Sequence, residues 1–196
     1  PWQREANRYY GFTAQQTLDL VQTLYEKKLL TYPRTDSQFI TDDMEDTARQ
    51  VISIVCRQFP LFSGVLVTPD IARVTDNSNV TDHHAILPTV QLEKQDVSAL
   101  PQSEQKILNL VGMRLLCATG EKHSCAETQI SLSCESYTFK TKGKTVVQNG
   151  WKAIEELFKA SLKTKEKDDP MKSLPEVHEG DVLDGVSASV TEHFTT

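Results

Sequence analysis

A phenol, a guanidinium, two hydroxyls and a carboxylate fall within the stretch Tyr32-Pro33-Arg34-Thr35-Asp36-Ser37. A phenol can attack a phosphodiester, but phenols ordinarily ionise near pH ~10, so one used this way needs help to lose its proton. A neighbouring guanidinium can hold the phosphate and stabilise charge that develops on it. Pro33 fixes its own φ and pushes Tyr32 towards extended backbone, which presents the phenol and Arg34 in a defined geometry. The plainer reading makes Tyr32 a packing aromatic and Arg34-Thr35-Asp36 a surface turn with a local ion pair, and residue types alone favour it. A second group stands at Thr81-Asp82-His83-His84-Ala85-Ile86-Leu87-Pro88-Thr89. Its adjacent histidines are compatible with a metal site, a phosphate contact or no chemical role. Helical metal sites usually space their histidines by three or four rather than placing them side by side.

The tyrosine segment lies between two predicted helices, and loops held by rigid helices commonly carry reactive side chains. The first helix is predicted over Thr13–Lys28, with Thr13 and Gln16 as a capping box and a stripe of Ala14, Leu18, Val21 and Tyr25, with Thr17 and Leu24 beside it. The second is predicted over Thr41–Phe59, capped by Thr41, buried through Met44, Ala48, Val51, Ile52 and Val55, and stopped by Pro60. The third runs over Gln102–Thr119 and ends at Gly120. A small sheet is expected around residues 65–92. After Gly120 the pattern alternates. A hairpin is expected at Thr138–Thr141 with its turn at Lys142-Gly143-Lys144, and NGWKAIEELF is read with the strands. Residues 163–173 read as a charged loop, and 174–194 as short strands around Gly180 and Gly185. The fold class is therefore α+β, with a helical domain over 1–120 and a β-rich piece over 121–196.

Hydrophobic residues make up 38% and charged residues 24% of the 196, the balance of a soluble globular chain. No apolar run approaches the ~20 residues of a membrane span, and the start PWQREANRYY lacks a signal core. No membrane partner is expected, and both ends read as internal to a longer polypeptide. The cysteines at 56, 117, 125 and 134 form no CxxC pair, which disfavours a zinc ribbon and fits a reducing compartment. If the source is bacterial, a cytoplasmic, nucleoid-associated location is expected. The net charge of −6 argues against a purely electrostatic DNA binder, so any nucleic-acid role must be local or shared with other parts of the protein.

Taken together, LLTYPRTDS and HHAILPT resemble the active-site tyrosine and histidine segments of type IA DNA topoisomerases. REAN precedes them in the family's order, and the Tyr-Pro-Arg and His-His-Ala-Ile forms are similar to the topoisomerase III branch. The stretches GWKAIEE, LPEVHEGDVL and VTEHFT resemble that family's strand-rich arch. The resemblance implies that Tyr32 attacks single-stranded DNA to form a 5′-phosphotyrosine, with no ATP needed to reseal, and that Arg34 holds the scissile phosphate. It implies DNA contacts for His83, Thr35, Asp36 and Ser37, with His84 and Lys28 as further candidates. Lys27, Arg57, Arg73 and Arg114 are read mostly as solvated surface, with DNA-backbone contact as the other reading. The implied fold is a helix-turn-helix-like tyrosine domain, related to catabolite activator proteins, joined to part of the arch. The implied cofactor is Mg²⁺, bound by an acidic toprim domain that this sequence does not contain, so toprim and the other domains of the full-length protein are the implied partners. The isolated chain is then expected to be inactive. A non-catalytic helix-turn-helix-like DNA-binding module is the alternative, against which the acidic balance weighs. The three-histidine cluster of a relaxase and the separated arginines of a tyrosine recombinase are not seen.

Overall fold

The computed structural model describes residues 2–65, 67–162, 174–185 and 191–192. Among them are five helices: α1 (Trp2–Tyr10), α2 (Ala14–Glu26), α3 (Glu45–Gln58), α4 (Gln102–Thr119) and α5 (Lys152–Ser161). Two strands, β1 (Ser124–Cys134) and β2 (Tyr137–Gln148), pair as an antiparallel hairpin. The architecture is mixed α+β. No helix among the described residues is long and apolar enough to cross a membrane.

α2 starts where its local chemistry dictates. Thr13 accepts the Gln16 backbone N–H at 3.1 Å, and the Gln16 side chain accepts the Thr13 N–H at 3.0 Å, a complete capping box. Its buried face is Thr17, Val21 and Leu24, so Val21 of the predicted stripe is buried with the two residues beside it, while Ala14 is exposed and Tyr25 is 38% exposed. α4 occupies the predicted residues. α3 begins later than predicted, after a 3-10 turn at Asp42–Met44, and Thr41 makes no side-chain cap. The Asp42 N–H donates instead to the Asn77 side chain at 2.9 Å, a partner distant in sequence.

α2, α3 and α4 pack around one core, with α1 against α2 and α4, and α5 against α4. Gly112 allows α3 and α4 their close approach, since a Cβ there would meet the buried Phe59 ring at 2.9 Å. α1 escapes sequence reading because Ala6 alone of its residues is buried. α5 replaces the strand expected for KAIEELF, with Ile154 and Phe158 buried four apart, one helical turn.

The sheet expected around residues 65–92 is not found among the described residues. The described residues there form 3-10 turns at Ile71–Val74, Asn77–Asn79 and Val90–Lys94, plus two isolated bridges, Leu30 with Pro88 and Ile40 with Thr75. The reason is local competition: Asp76 accepts the Ser78 N–H at 3.0 Å and Thr89 accepts the Gln91 N–H at 3.3 Å, turning the backbone away from a ladder.

The hairpin turns at Glu135-Ser136, with Glu135 at φ 53, and not at Lys142-Gly143-Lys144, which lies inside β2. Residues 174–185 carry no strand, contrary to expectation, and the predicted charged loop at 163–173 lies outside the described residues. The chain gathers into two units, residues 1–125 with 146–168, and residues 126–145 with 169–196. In the second unit Glu127 is paired with Lys142 at 3.4 Å and Lys144 at 3.6 Å.

Candidate active site

The tyrosine segment is placed by the end of α2. Lys27 caps the helix, Lys28 adopts φ 61, the Lys28 N–H donates to Tyr25 O at 2.8 Å and the Leu29 N–H to Leu24 O at 2.8 Å. These two bonds define a Schellman end with lysine where glycine is usual. The chain then runs antiparallel to the histidine segment. Thr31 N donates to Leu87 O at 2.9 Å and Thr89 N to Leu29 O at 3.0 Å, around the Leu30–Pro88 bridge. Pro88 occupies the pair whose N–H the ladder does not use, so its missing donor costs nothing. The Thr89 hydroxyl donates to the Lys28 carbonyl and closes this joint.

Side chains complete the connection between the two segments. The Thr31 hydroxyl accepts Leu87 N–H at 2.9 Å and donates to Ala85 O at 3.3 Å. The Thr35 hydroxyl donates to His83 O at 2.8 Å and accepts the Ser37 N–H at 3.1 Å. The Ser37 hydroxyl donates to Asn79 O at 2.8 Å, and Ala85 N donates to Phe39 O at 2.8 Å. The tyrosine loop is thus fastened at both ends to residues 79–89.

Tyr32 sits inside this frame, half-buried, between two rings. The His83 ring lies 4.3 Å away with planes at 41°, and the Tyr25 ring meets it edge-on at 5.5 Å. The Tyr32 hydroxyl makes no hydrogen bond among the described residues and is not one of the buried unpaired polar atoms, which are Tyr9 Oη and Asn109 Oδ1. It is therefore not fully buried. Pro33 beneath the loop is buried, whereas Arg34 and Asp36 are exposed. Behind the loop is a cavity of about 450 Å³, lined by Thr35, Asp36, Ser37 and Ile86 and by Trp2 and Arg114 from the helices.

The structure brings Tyr32, Thr35, Ser37 and His83 into one contact network. His84 stands apart, its Nδ1 donating to Ala85 O at 2.7 Å. Lys28 enters through its backbone, while its ammonium, like the Arg34 guanidinium, has no ion-pair partner among the described residues. The other cations weighed as DNA contacts are paired within the chain: Lys27 with Glu104 at 2.7 Å, Arg57 with Glu93 at 2.9 Å, Arg73 with the Gly120 carbonyl, and Arg114 with Glu5. Two neighbours were not among the sequence candidates. Thr31 is a common strand residue with no motif value of its own, and Tyr25 reads as core until the helix face is known.

A loop that carries a half-buried phenol, a histidine ring in tilted contact with it and, two residues on, an exposed guanidinium with no ion-pair partner among the described residues is an arrangement suited to phosphodiester chemistry. The chain matches the family described as DNA topoisomerase over residues 2–196. It belongs to the type IA DNA topoisomerases. It is similar to DNA topoisomerase 3 of Bacillus licheniformis, 33% identical over 208 aligned residues that cover 98% of this chain and 26% of the relative. It is also similar to DNA topoisomerase 3 of Bacillus subtilis, 33% identical with 92% and 25% covered, and of Bacillus cereus, 36% identical with 92% and 25% covered. The chain spans about a quarter of the length of the curated relatives it matches. Among the described residues no three His, Cys, Asp or Glu side chains gather as a metal site, so the donors present do not fit the Mg²⁺ that the family implies.

Proposed function

We propose that this chain supplies the nucleophile of a type IA topoisomerase, Tyr32, and works with other domains of a longer protein. The phenol oxygen attacks a backbone phosphorus of single-stranded DNA. The bond to the 3′ oxygen breaks, the strand ends in a 3′-hydroxyl, and a 5′-phosphotyrosine forms. Attack by that hydroxyl reverses the step. One phosphodiester is exchanged for another, so resealing needs no ATP. Arg34 holds the phosphate by charge-assisted hydrogen bonds that strengthen as negative charge develops on it. His83 contacts the same backbone, and Thr35 and Ser37 act by positioning it. Strand passage through the opened gate then relaxes or decatenates DNA. Mg²⁺ belongs to an acidic toprim domain of the whole protein, with residues 1–120 as the tyrosine domain, helix-turn-helix-like, and 121–196 as part of the arch.

The observation that supports this reading is the 4.3 Å tilted contact of the His83 ring with Tyr32, whose hydroxyl has no hydrogen-bond partner among the described residues. A merely structural tyrosine would be expected to spend its hydroxyl within the fold. The test uses the full-length protein that contains this sequence, incubated with end-labelled single-stranded DNA and Mg²⁺ and quenched in detergent. Label should remain on the protein, map to Tyr32, and vanish in Tyr32→Phe. No adduct from folded wild type that still binds DNA, across several divalent metals, would overturn the reading.

A further inference from the structure

Away from the tyrosine loop, His123 and Cys125 stand two residues apart at the start of β1, a spacing that puts both side chains on one face of extended chain. Cys125 is exposed, and its Sγ lies 3.0 Å from His123 Nε2. The other ring nitrogen, Nδ1, lies 3.0 Å from the Asn149 carbonyl oxygen. A carbonyl can only accept, so Nδ1 carries the proton and donates it. In the neutral ring Nε2 is then the acceptor, and the thiol directs its proton to it. Nucleophile, base and orienting group follow one another, the general pattern of an activated thiol.

The orienting carbonyl is itself held. Gly150 follows it at φ 52, and a Cβ there would stand 2.3 Å from the Lys122 carbonyl oxygen, so the turn demands glycine to lie against residues 121–122. Trp151 N donates to Glu121 O at 2.9 Å, and Lys152 N donates to the same Asn149 oxygen at 3.2 Å. The Trp151 ring meets His123 edge-on at 6.3 Å. None of this serves the tyrosine loop.

The remaining cysteines provide the contrast. Cys117 is buried, and desolvation pushes its thiol up to about 12. Cys56 is half-buried and its thiol is likewise raised by burial. Cys134 is exposed, as Cys125 is, and makes no hydrogen bond among the described residues. It is the natural internal reference.

We propose that Cys125 is a modification site that exchanges with small-molecule disulfides, with His123 as its base. The Cys125 sulfur attacks one sulfur of the disulfide, and its proton passes to His123 Nε2. The reagent's S–S bond breaks as the protein–reagent S–S bond forms. The departing thiolate takes the proton and leaves as a thiol. The disulfide is the only oxidant, and one disulfide is exchanged for another. Cys125 is the last residue of the first unit before the chain passes into the second, so the added group sits at the root of the hairpin.

The test treats the full chain with oxidised glutathione near pH ~7, quenches with acid at intervals and follows each cysteine by peptide mass. Cys125 should acquire glutathione on the order of ten-fold faster than Cys134, because His123 Nε2, 3.0 Å from its sulfur, can take the thiol proton as the sulfur attacks and Cys134 has no such neighbour among the described residues. His123→Gln, which keeps size and polarity but cannot take the proton, should bring the Cys125 rate down to that of Cys134. Equal rates for the two thiols in wild type overturn the proposal without any variant. So does an undiminished Cys125 rate in a folded His123→Gln protein, with folding read from the continued protection of Cys117.

Discussion

The hydroxyl of Thr31, the residue just before Tyr32, joins the two chemical segments, and Thr31→Val removes that joint without altering side-chain shape. In the native chain the hydroxyl accepts Leu87 N–H at 2.9 Å and donates to Ala85 O at 3.3 Å. Leu87 is 6% exposed, so water cannot readily replace the lost partner of its N–H. A buried donor left unpaired costs about 1–3 kcal/mol. The longer bond to the Ala85 carbonyl adds little, since that oxygen still accepts from His84 Nδ1 at 2.7 Å. The expected loss is about 2 kcal/mol, which lowers the folded-to-unfolded ratio by roughly 30-fold. For a chain of this size it lowers Tm by roughly 4–8 °C. Urea unfolding of wild type, Thr31→Val and Thr31→Ser measures it, with unchanged m-values as the check that one transition is compared. Serine keeps the hydroxyl and loses one methyl, so it should cost about 1 kcal/mol or less. A valine variant within about 0.5 kcal/mol of wild type, or a serine variant as damaged as the valine one, would refute the idea that this hydroxyl fastens the segments together.

Three further outcomes are expected. Lys28→Gly should stabilise the chain by about 0.5–1 kcal/mol, because relief of the left-handed strain at φ 61 exceeds the entropy glycine adds to the unfolded state; a lower Tm in the variant would contradict it. Lys27→Met strands the Glu104 carboxylate, whose side chain is 8% exposed, and should cost about 1–3 kcal/mol, most of which the double change with Glu104→Gln should restore; a double variant no better than the single one would place the loss elsewhere. Hydrogen bonds from Ser78, and then Asn79, hold the Asp76 carboxyl below the usual aspartate range. A carboxyl depressed by folding stabilises fully above its unfolded value near ~4 and loses that contribution as the pH falls through the folded value. Stability should therefore fall in acid below about pH 4, and Asp76→Asn should blunt part of that fall in acid titrations followed by circular dichroism.

The helices that can be read from sequence are those whose signals are local. The capping box at Thr13 and Gln16 starts α2, and α4 runs over Gln102–Thr119 up to Gly120; both are found where predicted. α3 is legible along its length but not at its start, because the group that receives the Asp42 N–H is the Asn77 side chain, supplied by tertiary structure. α1 and α5 are hidden for another reason. They span nine and ten residues, shorter than the stretch of about 11 or more over which a helical period is read. The hairpin turn was misplaced because Glu135 takes the positive φ that turn chemistry usually reserves for glycine or asparagine, while Gly143, the obvious turn signal, lies within β2.

At the candidate site the residue types were legible and their juxtaposition was not. Tyr32 and His83 stand out for what they can do, yet nothing in either segment states that the two rings touch. Their contact is delivered by backbone bonds between residues 29–31 and 87–89, and backbone bonds leave almost no mark on side-chain identity. Pro88 is the exception, since a proline is tolerated only at the unused donor position of such a ladder, and that fixes the register by exclusion. Lys28 hides the other half of the arrangement. A glycine there would have marked the end of α2 and the reversal that aims the next strand at the histidine segment; lysine makes the same Schellman end at a cost in strain. The Thr89 hydroxyl bound to the Lys28 carbonyl is a contact that offsets such a cost, so the strained residue and the histidine segment hold each other in place. The reactive loop is therefore set by an agreement between two distant segments, and a change in either should be felt at the Tyr32 ring.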